Sequence, residues 1–285
     1  MKLPTHLFKR KPDTHKGDYG YVLVIGGSPG LTGAVCLCAS AALRMGAGLV
    51  RAAVPGSLTG IVATKLTEVM TLLLPEMHPG YLCPDAFGTI EQMLSRVDAI
   101  ALGCGASSNE AARVLMLKVI KEVDKPIVVD ADGLNALSSD TCILEARTTK
   151  NLILTPHALE FSRISGYSIE DIKKNRKALV KDFALRYNLT LVLKGHRTLV
   201  SDGRKLFENT TGNPGMATAG TGDVLTGMIA GLLGQGLIPF CAAQIGVYLH
   251  GLASDLASRE KTEICLIASD IIDYLPKAIK KASRA

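Results

Sequence analysis

The sequence predicts an α/β fold, a mainly parallel central sheet with helices on both faces, and three observations carry that prediction. Short β-branched runs alternate with segments whose apolar residues recur at helical spacing, the rhythm of successive βαβ units. A chain of 285 residues that is 47% hydrophobic can bury a large core. No linker rich in Pro, Gly or Ser and no internal repeat divides it, so residues 1–285 read as a single domain.

In chain order, the first strand is "YVLVIGG" (21–27), followed by a helical segment over 33–45. "GLVRAAV" (48–54) and "VDAIALG" (97–103) read as further strands, with a helix over 108–122 after them. "PIVVDA" (126–131) and "NLILTP" (151–156) precede a helix over 168–187, and "LTLVLKG" (189–195) follows it. There the rhythm changes: "SDGR" (201–204) supplies an Asp-Gly turn and predicts a hairpin, and from Thr221 the chain is helical to near its end. Val224 to Ser254 contains no Asp, Glu, Lys or Arg. A membrane span needs about 20 unbroken apolar residues. "GQGLIP" (234–239) divides the stretch, so two consecutive buried helices are expected and no membrane segment.

The net charge of +6 gathers in the ends, "HLFKRK" and "LPKAIKKASRA", with no basic stripe interleaved with aromatics, which argues against nucleic acid as a partner. Seven cysteines, nearly all inside apolar runs, read as reduced core residues of a cytoplasmic protein and not as disulfides or a zinc site. The polar N-terminus lacks the apolar block of a signal peptide, so the Asn-X-Thr sequons at Asn188 and Asn209 are chance matches.

Ligands of an open parallel sheet sit at the carboxyl ends of its strands, which directs attention to six loops: "GGSPGLTGA", "GCGASS", "DADGLNAL", "TPHALE", "KGHRT" and "GTGD". In "ATAGTGD" (217–223), small residues let the amides of Ala219, Gly220, Thr221 and Gly222 turn inward beside a helix start, an anion hole suited to a phosphoryl group. Asp223 in the first helical turn is then placed to take a proton from an attacking hydroxyl. The same residues also make a tight turn with a dipole-favoured carboxylate, and isolated spacing weighs the two equally. Lys194 and Arg197 of "KGHRT" either neutralise nucleotide phosphates or form an exposed basic turn. His157 and Glu160 either contact substrate and hold hydrated magnesium or cap a helix. Asp130 and Asp132 either bind magnesium or shape their loop. "GGSPGLTG" lacks the G-x-G-x-x-G spacing and is interrupted by Pro29; Gly33 and Ala34 open a helix where backbone can touch a ligand.

With these loops in this order, the chain resembles the ADP-dependent NAD(P)H-hydrate dehydratase family, a branch of the ribokinase-like superfamily. The resemblance rests on "KGDYGYVLVIGGSPGLTGA", "AIALGCGAS", "VVDADGLNAL", "LTPHALEFSRI", "LVLKGHRTLV" and "NPGMATAGTGDVLTGMIAGLLGQG", spanning about residues 15–251. It implies a ribokinase-like three-layer sandwich and a cofactor-repair lyase. That enzyme uses ADP, or ATP, and Mg2+ to phosphorylate the ring hydroxyl of the S epimer of NADHX or NADPHX, then eliminates phosphate. It further implies nucleotide contacts at Lys194, Gly195, His196, Arg197, Thr198 and Gly222, and hydrate contacts at Ala34, Gly105, His157 and Asp223; Glu160 is the candidate to hold magnesium through water. Cys104 stands where the family commonly has proline, and His196 at a position that varies. Many relatives carry an epimerase domain ahead of this region, so a separate epimerase is expected for the R epimer, and tetrameric assembly is common. The rival readings are a small-molecule kinase of the same superfamily and a nucleotide-binding sensor without turnover.

Overall fold

The computed structural model describes residues 3–7 and 9–283; Met1, Lys2, Phe8, Arg284 and Ala285, parts of the two basic ends, lie outside it. Nine strands form one sheet: β1 (Tyr21–Ile25), β2 (Leu49–Pro55), β3 (Met70–Leu74), β4 (Ala99–Leu102), β5 (Ile127–Val129), β6 (Leu152–Leu154), β7 (Thr190–Leu193), β8 (Leu199–Ser201) and β9 (Leu206–Glu208). Their spatial order is β3-β2-β1-β4-β5-β6-β7-β8-β9. The first seven pair in parallel, and the β8 and β9 pairings are antiparallel.

Alternation along each strand separates two cores, because successive side chains point to opposite faces. Val22, Val24, Ala101, Val128 and Ile153 face one layer. It is built from α1 (Thr32–Arg44), α2 (Thr59–Lys65), α9 (Thr221–Gly234), α10 (Pro239–Lys261) and α11 (Ala268–Ala282). Leu23, Ile25, Leu102, Val129 and Leu154 face the other. That layer holds α3 (Ala86–Met93), α4 (Glu110–Glu122), α5 (Asp132–Leu137), α6 (Ile143–Ala146), α7 (Ala158–Ser165) and α8 (Ile169–Arg186).

The expected hairpin is β8–β9, with Gly203 at φ 86° and the Asp202 carboxylate accepting the amides of Arg204 (2.9 Å) and Lys205 (2.6 Å). The charge-free stretch is two helices, α9 and α10, parted at residues 235–238, and no helix among the described residues is long and apolar enough to cross a membrane. Two expectations need correction. "MTLLL" is an additional strand, β3, at the edge of the sheet. Only Cys36, Cys38, Cys83 and Cys104 are buried; Cys142 and Cys265 are exposed and Cys241 is half-buried, because each sits at or beyond a helix end or on an outer face.

Candidate active site

The pairing register sets the site. Ile25 is level with Leu102, Leu102 with Val129, and Val129 with Leu154, so Gly26, Gly103, Asp130 and Thr155 leave the sheet side by side. One strand further, the Lys194 amide donates to the Pro156 carbonyl (2.8 Å), joining "KGHRT" to "TPHALE".

On the opposite layer, α1 and α9 touch backbone to backbone. A Cβ added at Gly227 would collide with the Cys38 carbonyl, and one at Gly231 would lie 2.7 Å from the Ala42 carbonyl oxygen. The Gln235 amide then donates to the Met45 carbonyl at 3.0 Å. Both helices advance together by about four residues between contacts, so they run parallel and in register. Carried one turn toward their N-termini, the same register would set Ala34 opposite Asp223. Gly105 belongs to the same group, since a Cβ there would stand 3.0 Å from that of Ala34.

The glycine loop enters α9 through Gly220 at φ 90°, a conformation costly for any residue with a side chain, and a Cβ there would meet Leu37 Cδ1 at 2.5 Å. Thr221 turns its hydroxyl back to the Met216 (3.0 Å) and Thr218 (3.1 Å) carbonyls. Ala217 and Val224 donate their amides to Pro214 and Gly220. Between them, the backbone N–H groups of Thr218 to Asp223 make no hydrogen bond of good geometry to the described residues, only a loose turn at 219–220. The amides of Ala219, Gly220, Thr221 and Gly222 are thus unpaired at the positive end of a helix, the arrangement that holds an anion.

A chain of charges runs beneath this loop. Asp130, 1% exposed, accepts from Lys194 Nζ (2.6 Å) on one oxygen and from Thr226 Oγ1 (2.7 Å) on the other. Lys194 Nζ also lies 3.9 Å from Glu160 and 3.4 Å from where a Cβ of Gly222 would be. Burial alone would lower the Lys194 ammonium, but Asp130 and Glu160 outweigh it and hold it above its usual range. Burial pushes the Asp223 carboxyl up to about 6, and the charge of Asp130 adds to this; the Cys104 thiol and Lys194 act the other way. Asp223 is the strongly tuned carboxylate of the site.

Other candidates have structural partners. His157 caps α7: its Nδ1 accepts the Glu160 amide (3.1 Å) while Glu160 Oε2 accepts the His157 amide (2.7 Å). The His157 side chain remains 51% exposed, free to meet a ligand. Asp132 accepts the Ser107 amide (2.8 Å) and so ties "DADG" to "GCGASS", with Ala131 between the two aspartates at φ 49°. In "KGHRT", Thr198 donates to the Gly195 carbonyl (3.0 Å), Arg197 pairs with Glu208 (3.2 Å), and Arg176 of α8 donates to the His196 carbonyl (2.9 Å). Arg197 is largely exposed, whereas Lys194 is committed to the interior.

Sequence spacing missed Thr226, Arg176 and His250. His250 is buried in α10, with Nε2 2.9 Å from the Thr221 carbonyl, and burial pushes it down to about 4. The available signal was a lone histidine in the charge-free run. No cluster of three metal-ligating side chains exists among the described residues. Glu160 Oε1 makes no hydrogen bond among the described residues and stands 3.5 Å from the His157 ring, which suits a carboxylate facing the water shell of a nucleotide-borne magnesium rather than a caged ion. A cavity of about 340 Å³ at the amino ends of β6 and β7, lined by Arg147, Lys150 and Arg186 among others, contains none of these groups.

Comparison with known proteins identifies the family. A family profile described as NAD(P)H-hydrate dehydratase matches residues 22–277. The bifunctional NAD(P)H-hydrate repair enzyme Nnr of Moorella thermoacetica is 47% identical over 278 residues, covering 97% of this chain and 52% of that protein. The chain therefore spans about half the length of such bifunctional relatives. The ADP-dependent (S)-NAD(P)H-hydrate dehydratase of Neisseria meningitidis is 40% identical, covering 88% of this chain and 82% of its own. The structure of an ADP/ATP-dependent NAD(P)H-hydrate dehydratase from Bacillus subtilis, co-crystallized with ATP/Mg2+, superposes with a TM-score of 0.80 at 29% identity, covering 99% of this chain and 95% of that one. The fold is the expected ribokinase-like three-layer sandwich.

Proposed function

The chain belongs to the NAD(P)H-hydrate dehydratase family, and from that premise we propose that it converts the S epimer of hydrated NADH or NADPH to the reduced cofactor with ADP as phosphoryl donor. The observation that carries this reading is Asp223: a carboxylate in the first turn of α9, beside the loop amides and pushed up to about 6.

The terminal phosphoryl group of the nucleotide rests on the amides of Ala219 to Gly222, with the Lys194 ammonium behind Gly222. Asp223 takes the proton from the ring hydroxyl as that oxygen bonds to phosphorus, and the bond from phosphorus to the bridging oxygen of ADP breaks, releasing AMP. The new ester then loses phosphate while the neighbouring ring carbon loses a proton, and the ring double bond re-forms. Ala34, Gly105 and His157 line the hydrate side. Gly195, His196, Arg197, Thr198 and Gly222 line the nucleotide side. Magnesium bound with the nucleotide supplies charge neutralisation at the phosphates, and Glu160 is the residue that would hold its water shell. The whole chain, 1–285, acts as one domain in this reading, its two cores sharing one sheet.

The test is turnover of both hydrates with ADP and with ATP side by side. Recovery of reduced-cofactor absorbance is expected. A stable phosphorylated product would identify a kinase instead, and nucleotide binding without any turnover would identify a sensor.

A pH profile follows from the same residue. A base must be deprotonated, so kcat/KM should fall as pH drops below about 6 and level off above it. A rate that stays flat from pH 5 to 8 would remove Asp223 from the role of base.

A further inference from the structure

The unpaired amides are useful only if the loop that carries them is held still, and α10 grips that loop on both sides. Ahead of it, Asn209 Nδ2 reaches the Val247 carbonyl (3.4 Å) and Thr211 Oγ1 donates to the Tyr248 carbonyl (2.9 Å). The Gly212 amide donates to Asp255 (3.0 Å), and Asn213 Nδ2 lies within hydrogen-bond distance of Ser254 (3.0 Å), Asp255 (3.1 Å) and Ser258 (3.3 Å). Gly251 allows this contact, since a Cβ there would lie 2.6 Å from the Thr211 carbonyl carbon. Behind the loop, His250 Nε2 stands 2.9 Å from the carbonyl of Thr221, the first residue of α9.

Positions 247, 250, 251, 254 and 258 recur at helical spacing, so these groups share one face of α10. The Thr221 carbonyl is the acceptor for the amide four residues on in α9, and an approaching imidazole nitrogen must carry the proton to add a second bond. This fixes the tautomer: hydrogen on Nε2, none on Nδ1. His250 touches neither nucleotide nor hydrate in the reading above, and no part of the proposed chemistry uses it.

We propose that α10 is a clamp on the amide loop, and that His250 is a positioning residue whose Nε2 proton holds the Thr221 carbonyl and so aims the amides of Gly220 to Gly222 at the transferring phosphoryl group. The proposal rests on the dehydratase reading for its kinetic consequence, not for the clamp itself.

Two readouts separate these. In His250→Leu, amide hydrogen exchange at Val224 and Leu225, whose acceptors are the Gly220 and Thr221 carbonyls, should accelerate, and kcat should fall about tenfold or more, a misplaced donor being worth up to about a hundredfold, while KM for ADP stays within about twofold. His250→Gln, which keeps a donor of similar reach, should recover most of both. Asn213→Ala, on the other half of the clamp, should show the same pattern more weakly and serves if His250→Leu does not fold. Unchanged exchange at Val224 and Leu225, or a Gln variant as slow as the Leu variant, overturns the clamp. Faster exchange with kcat intact overturns the positioning role. Absence of turnover in the wild type defeats the dehydratase reading, and the exchange data then decide the clamp alone.

Discussion

Asp223→Asn is expected to lower kcat by at least about a hundredfold, the lower range for removal of a general base, while ADP binds within about twofold of wild type. Asparagine keeps the shape of the side chain and the loop amides but cannot accept the hydroxyl proton. A second, opposite consequence distinguishes this variant from a merely damaged protein. A carboxylate whose folded pKa is raised from 3.8 to about 6 binds its proton more tightly in the native state, so stability is lost as pH rises through that window. The uncharged amide escapes that penalty, and Asp223→Asn should melt at a higher temperature than wild type at pH 7. Thermal denaturation and steady-state turnover on one preparation check both. A variant with wild-type rate would end the mechanism proposed here.

Lys194→Met should be the most destabilising single change near the site. It leaves Asp130, 1% exposed, and Glu160, 7% exposed, without their shared cation. Removing one partner of a buried pair typically costs about 3–5 kcal/mol, because the remaining charge stays buried. Urea unfolding at pH 7 measures this directly. Glu160, which burial already pushes up against the pull of Lys194, then takes up a proton more readily in the folded state than in the unfolded one, so the deficit should shrink as pH falls toward 5. A deficit that grows on acidification would show that Lys194 was not compensating them. Turnover should fall as well, since the Lys194 ammonium stands 3.4 Å from where a Cβ of Gly222 would be, close to the loop amides.

Much of this fold was legible in the sequence because a parallel strand covered on both faces reads as a nearly unbroken apolar run, and β1, β4, β5, β6 and β7 each carry one, while β2 is broken only by Arg51. β3 escaped notice for the converse reason: it is an edge strand, four of its five residues are partly or fully exposed, and Pro75 ends it. The candidate loops were legible because parallel topology forces every strand-to-helix loop to one end of the sheet. What spacing could not supply were partners distant in sequence. Lys194 looked like a surface cation of a hairpin turn, and its bond to Asp130 crosses 64 residues. Thr226 and His250 are polar residues inside apolar helices, and their acceptors lie 96 and 29 residues away.

The glycine seam between α1 and α9 has a thermodynamic consequence for ligand binding. Two parallel helices set side by side place like ends together, each N-terminus carrying roughly half a positive charge, so the seam holds the pair against a mutual repulsion. An anion at their common end turns that repulsion into shared attraction. Cohesion of the two helices and occupancy by nucleotide are therefore linked, each reinforcing the other. Gly231→Ala, about 12 Å along α9 from Asp223, would part the helices without touching the ligand. It should reduce the rise in melting temperature that ADP confers, a remote effect carried by the field of two backbones rather than by any side chain.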